Sequence, residues 1–257
     1  MELLVVSTAA FMASALTLFS GFGLGTLLMP IVAIFFPIDI AIAITAIVHL
    51  ANNLFKVTLL GKRANRAVLL SFGIPAVIFA FLGALILGWL SGIPPVLEYT
   101  AFNKPLQVSP IKLIVGILIL GFVALELSAK FSAIALERKY LPYGGMVSGL
   151  FGGLSGHQGA FRSMFLLKAG LGKEEFVATG IMLAVMVDIS RMLVYGWDIS
   201  MQHQIIDWTL VIAASVSAFI GAYFGSKILK KLTIKGVQVL VSVLLVLVSL
   251  GLISGAL

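Results

Sequence analysis

Two apolar stretches of this chain are broken, mid-run, by residues that hydrocarbon does not tolerate. The first reads Ser20-Gly21-Phe22-Gly23-Leu24-Gly25, and the second Gly149-Leu150-Phe151-Gly152-Gly153-Leu154-Ser155-Gly156-His157-Gln158-Gly159. Irregular, polar backbone at membrane depth is stable only where it is buried in protein or lines a cavity. A matched pair of interrupted segments, one in each half of a chain, is the best sequence pointer to a transporter's binding site.

The surroundings of the breaks supply the membrane. Of the 257 residues, 61% are hydrophobic and only 11% charged, whereas a soluble domain carries roughly 25% charged residues. Apolar runs of about 20 residues, each long enough to cross a bilayer, recur along the sequence. The expected fold is therefore an all-α polytopic membrane protein. A net charge of +7 would point to nucleic acid in a soluble protein. Here it marks cytoplasmic loops, which are rich in Lys and Arg, so no nucleic-acid partner is expected. The absence of cysteine excludes disulfides and thiolate metal sites. The first 20 residues resemble a signal peptide in hydrophobicity only, because Glu2 is their sole charge. They are expected to be retained.

An offset of 135 residues pairs Ser20-Gly21 with Ser155-Gly156, Met29 with Met164, Asp39 with Glu174, Asn53 with Asp188, Lys56 with Arg191 and Gly61 with Gly196. Ala80–Ala84 matches Ala218–Ala222 at an offset of 138, and Ile111-Lys112 matches Ile234-Lys235 at 123. The offset changes only across loops, as a duplication requires. Each half then holds four apolar segments, eight in all. They fall at about 3–36 (broken at 20–25), 40–61, 67–90 and 110–128, then 143–171 (broken at 155–159), 174–196, 203–228 and 234–256. The expected units are a first repeat over 1–128, a cytoplasmic linker over 129–142 and a second repeat over 143–257.

The broken segments have arms of about 12–17 residues, or about 18–25 Å, which reach the bilayer midplane. Two topologies fit these lengths: eight crossings, or six with the broken segments folded as re-entrant hairpins. Eight crossings scatter the loop cations evenly over the two sides. With hairpins, only Lys104 and Lys112 remain outside. Lys62, Arg63, Arg66, Lys130, Arg138, Lys139, Lys168, Lys173, Lys227, Lys230, Lys231 and Lys235 all fall inside, and the acidic loop around Asp198 and Asp207 lies outside. That asymmetry follows the positive-inside rule. A hairpin plus three crossings is odd, so the repeats are inverted, both termini lie outside and the tips meet near the midplane.

Ser20, Gly21 and Gly23 of the first tip, and Ser155, Gly156, His157, Gln158 and Arg162 of the second, are the candidate binding residues. The second arm of each hairpin starts at the tip, so its N-terminal N–H groups favour an anion. Arg162 adds a rigid fork of donors. Alternatively, Gly152 and Gly153 serve helix packing, Ser155 is an N-cap, His157 caps the second arm or carries a proton, and Arg162 forms a structural ion pair. Ionisable groups at membrane depth are nonetheless functional by default.

On the following helix His49, Asn52, Asn53 and Lys56 share one face. The second half answers with Asp188 and Arg191, three apart and able to pair. Asn53 is the ligand candidate here, and His49, Asn52, Lys56, Asp188 and Arg191 are gating or coupling candidates. A Gly153-Leu154-Ser155-Gly156 match to intramembrane serine proteases is weak, because the segments that follow contain only His203 and the chemistry needs a base from another helix beside the Ser. No enzyme, metal or cofactor is expected.

The motifs Ser20–Pro30 (SGFGLGTLLMP) and Gly149–Arg162 (GLFGGLSGHQGAFR), with the eight segments, resemble the TauE/SafE family of sulfite exporters. The resemblance covers nearly the whole chain. It implies export of small sulfur-containing anions, sulfite or sulfonates, across the bacterial inner membrane. Many members have glycines where this chain has His157 and Gln158, and a proline where it has Phe165, a difference that points to a narrowed or altered substrate. The expected mechanism is alternating access at the hairpin tips, with a proton passing through His157, His49 or Asp188 if one is coupled. The rival is proton- or cation-coupled uptake on Asp188. The expected partners are the anion and the lipid bilayer, with a homo-oligomer left open.

Overall fold

A computed structural model describes residues 1–20, 23–101, 103–128, 130, 134, 136–201, 206–228 and 234–257. The first apolar stretch forms α1 (Glu2–Ser20) and α2 (Leu24–Val32), followed by α3 (Ile38–Leu60). Helix α4 runs over Arg66–Ser91. Its N-cap is Asn65, whose side chain accepts from the Val68 N–H at 3.0 Å. Pro75 brings no N–H to this helix, and the backbone just before it widens into a π turn over Leu69–Gly73. Next come strands β1 (Leu97–Ala101) and β2 (Lys104–Val108), then α5 (Pro110–Leu127).

The second half begins with α6 (Leu141–Ser155) and α7 (Gly159–Leu166), and continues with α8 (Lys173–Met201), α9 (Trp208–Ile228) and α10 (Ile234–Ile253). Both breaks thus fall where glycine and polar residues interrupt the apolar runs. Among the described residues four helices, within α3, α4, α8 and α9, are long and apolar enough to cross a membrane, and three further apolar helices are shorter. The fold is that of a helical membrane protein. The antiparallel β1–β2 hairpin is an addition to the all-helical expectation. Asn103 turns it at φ 58°, a left-handed conformation that Asn accepts more readily than most residues.

Helix α7 folds back along α6. Ser148 Oγ donates to the Gln158 carbonyl at 3.1 Å, and Gly144, three turns before the break, lies against the ring of Phe165. A proline at 165 would leave that surface of Gly144 uncovered. Helix α2 likewise packs against α1 and α3.

Small residues lock the first arm of each hairpin to a helix of the other half. Gly145, Gly149 and Gly153 of α6 lie directly on the carbonyls of Phe72, Ala76 and Ala80 of α4, and Gly83 of α4 lies on the Leu150 carbonyl. The spacing of four on both helices makes one continuous contact ridge. Gly221 and Gly225 of α9 meet the backbone of Phe11 and Ala15 in α1 in the same manner. Helix α3 crosses α8, and α5 pairs with α10. Large apolar side chains such as Leu193, Trp197, Ile212 and Leu247 point outward, which suits a hydrocarbon surround.

Candidate functional site

Where α3 crosses α8, a carboxylate is buried beside an arginine. Asp188 is 0% exposed and Arg191 2% exposed, a placement that demands full pairing. The pairing is complete. Asp188 Oδ1 accepts from Arg191 Nε at 3.0 Å and Nη2 at 2.7 Å. Asp188 Oδ2 accepts from His49 Nδ1 at 2.6 Å, and Asn53 Nδ2 lies 3.5 Å from the same oxygen and 3.2 Å from the His49 ring. The i, i+3 pairing of Asp188 with Arg191 that the spacing allowed is therefore made, and His49 and Asn53 join it from the facing helix.

This cluster bridges the two breaks. Gly23 opens α2 as its N-cap, and a Cβ added there would stand 3.3 Å from His49 Nε2. At the other end, a Cβ at Gly156 would stand 2.9 Å from Arg191 Nη1. A chain of contacts through His49, Asp188 and Arg191 thus runs from Gly23 to Gly156. Of the first tip's other candidates, Gly21 lies outside the described residues, as does the side chain of Ser20.

The second tip is built by satisfying the last carbonyls of α6, which have no partner within the helix. Gly156 adopts φ +80°, and its N–H returns to the Gly152 carbonyl at 3.0 Å, the left-handed ending that glycine permits. Arg191 Nη1 reaches the same carbonyl at 3.5 Å, and Tyr195 hydroxyl donates to the Gly153 carbonyl. His157 Nδ1 donates to the Ser155 carbonyl at 2.9 Å. His157 therefore caps the end of the first arm, not the start of the second. Ser155 is the last residue of α6, so it does not cap α7, whose N-cap is Gln158; its Oγ donates to the Phe151 carbonyl at 3.1 Å. His203, the histidine that a serine-hydrolase reading would need, lies outside the described residues.

Beyond the break, several polar atoms are buried with their bonding capacity unmet. His157 Nε2, both amide atoms of Gln158 and Arg162 Nη1 have no hydrogen-bond partner among the described residues. Gln158 is the N-cap of α7 and makes no cap bond with its side chain. Arg162 sits one turn further along, its N–H bonded to the Gln158 carbonyl at 3.0 Å. On α3, Lys56 is buried with no carboxylate partner among the described residues. Asn52 faces a different way from its neighbours on the stripe: its Oδ1 accepts from Ser14 Oγ of α1 at 3.1 Å.

Arg191 is bonded to Asp188 and the Gly152 carbonyl, whereas Lys56, its match at the 135-residue offset, has no carboxylate partner among the described residues. Two contributors escaped the sequence reading. Tyr195 is one turn beyond Arg191, a spacing that could have flagged it. Phe122 of α5 stacks on His157 at 5.4 Å and 5°, and nothing in an unbroken apolar helix marks it.

An apolar helical exterior around a buried, cation-rich centre at two helix breaks defines a membrane transport protein. The chain belongs to the sulfite exporter TauE/SafE family, whose description matches residues 6–252. No curated protein and no solved structure matches it.

Proposed function

We propose that this protein is a secondary transporter of the bacterial inner membrane that exports a small sulfur-containing oxyanion, sulfite or an organosulfonate. Its units are two inverted repeats, 1–128 and 143–257, joined by a cytoplasmic linker at 129–142. The observation that carries the reading is the set of unmet donors at the second tip. Arg162 Nη1 and the Gln158 amide are buried there without partners among the described residues, and on α3 Lys56 is buried with no carboxylate partner among the described residues. Leaving such groups unpaired costs several kcal/mol, and an oxyanion at the start of α7 relieves that cost. Membership of a sulfite-exporter family points to the same ligand class.

Two features support the inverted repeat. The first arm of each hairpin packs on the third long helix of the opposite half, α1 on α9 and α6 on α4. Asn53 and Asp188, matched by the 135-residue offset, approach to 3.5 Å, as residues astride a two-fold axis do. In this reading the anion binds between the tips, held by Asn53, Gln158 and Arg162 with the α7 N-terminus, and alternating access exposes it to each side. Efflux of an anion gains about 2.3 kcal/mol per charge per 100 mV from an inside-negative potential, so no coupling ion is required. Cation uptake on Asp188 is disfavoured because both its oxygens are already engaged by His49 and Arg191.

The test is thermal stability of the purified protein against sulfite, sulfate, thiosulfate, sulfoacetate, acetate and chloride, with Arg162→Gln alongside. A ligand at about 100 times its Kd stabilises by about 2.7 kcal/mol. A shift selective for sulfur oxyanions that disappears in Arg162→Gln is expected. A shift with Na⁺ or with none of the anions would defeat the reading.

A further inference from the structure

We infer that the second hairpin tip takes up its oxyanion together with one proton, held between the ligand and His157 Nε2; this rests on the anion-site reading above. The argument starts from the ring's other nitrogen. His157 Nδ1 lies 2.9 Å from the Ser155 carbonyl, and a carbonyl oxygen only accepts, so Nδ1 carries the hydrogen. In the neutral ring Nε2 is then a bare lone pair. That atom is buried and has no partner among the described residues. Stacking against Phe122 at 5.4 Å, with Phe122 in turn edge-on to Phe151 and Phe161, keeps the ring from turning its nitrogens elsewhere.

A lone pair aimed at a fully deprotonated oxyanion is repulsive, whereas an O–H on the ligand, or a proton on Nε2 itself, turns the contact into a hydrogen bond. Both descriptions contain the same atoms: one anion, one proton and one imidazole. Neighbouring groups complete the division of labour. Gln158 is 3% exposed with both amide atoms unmet, and Arg162 Nη1 supplies charge. These two bind the unprotonated oxygens, while His157 reads the protonated one. The charged group of α8 that acts on His157 is Arg191, which is paired with Asp188, and α7 carries Arg162 five residues beyond the ring. Helix α6 places no ionisable residue at this end, and on α5 Glu126 lies one turn from Phe122, its side chain outside the described residues. The substrate class is thus a singly protonated oxyanion, or a sulfonate accompanied by a proton on the ring.

Titration calorimetry of the full-length protein decides it, with sulfite and methanesulfonate as probes. Repeating each titration in buffers of different ionisation enthalpy, at a mildly alkaline pH where free sulfite is mostly the dianion and the free ring is neutral, counts the protons taken up. Uptake approaching about one proton per anion is expected in the parent. The variant is His157→Asn, because the Asn amide nitrogen can keep the Nδ1 bond to Ser155 while Nε2 is removed. It should bind with no buffer dependence. Buffer-independent heat in the parent overturns the proton inference and leaves the anion site standing, whether or not the variant folds. Proton uptake that persists in His157→Asn also overturns it. Absence of binding heat with either probe sinks the anion site itself.

Discussion

At Asp188 the cost of a buried charge is met by three neighbours drawn from two helices. Removing one member of such a set is more damaging than replacing all of it, since the survivor keeps an uncompensated charge in a low dielectric. Asp188→Asn should therefore destabilise the protein by about 3–5 kcal/mol, read as a lowered thermal midpoint in detergent. Asp188→Leu combined with Arg191→Met should recover part of that loss. Recovery stays partial because Arg191 also serves the Gly152 carbonyl at the end of α6. The residue pattern exposed the polar stripe on α3 and the pair on α8. It did not expose that His49 and Asn53 turn toward Asp188 while Asn52 turns toward Ser14, because which face meets which helix is a property of the crossing.

Among elements, the contact of α6 with α4 depends on the absence of side chains. Gly153 rests on the Ala80 carbonyl, as Gly149 rests on that of Ala76. A side chain at 153 must push backbone aside, and overpacking of this kind costs at least about 1–3 kcal/mol. Gly121 of α5 has nothing within 4 Å of its added Cβ and is exposed. Gly153→Leu should lower the thermal midpoint and the yield of folded protein, whereas Gly121→Leu should leave both near parent values. Equal effects at the two sites would refute the ridge as a source of stability. The helix breaks were legible to within a few residues, because glycine and polar groups in an apolar run have few other uses. The β1–β2 hairpin was hidden in a loop whose composition resembles a linker.

For the molecule as a whole, the exchanged packing binds α1 to α9 and α6 to α4, so the first arm before each break is anchored on a helix of the opposite half. The inverted topology proposed on these grounds makes a direct prediction. A reporter fused after Leu257 should read outside, and one in the 129–142 segment should read inside. A cytoplasmic reading at Leu257 would remove the two-hairpin topology. The chain's own residues determined the class and the positions of the breaks, because hydrophobicity and glycine content act locally and survive without a fold. Only the tertiary structure decided which buried groups are satisfied. Arg191 emerges as a strut, Ser155 as a backbone-bonded hydroxyl, and Arg162, Gln158 and His157 Nε2 are among the buried groups with no hydrogen-bond partner among the described residues. Those assignments depend on partners brought from distant parts of the chain, such as His49 and Asp188, 139 residues apart, and no local pattern encodes them.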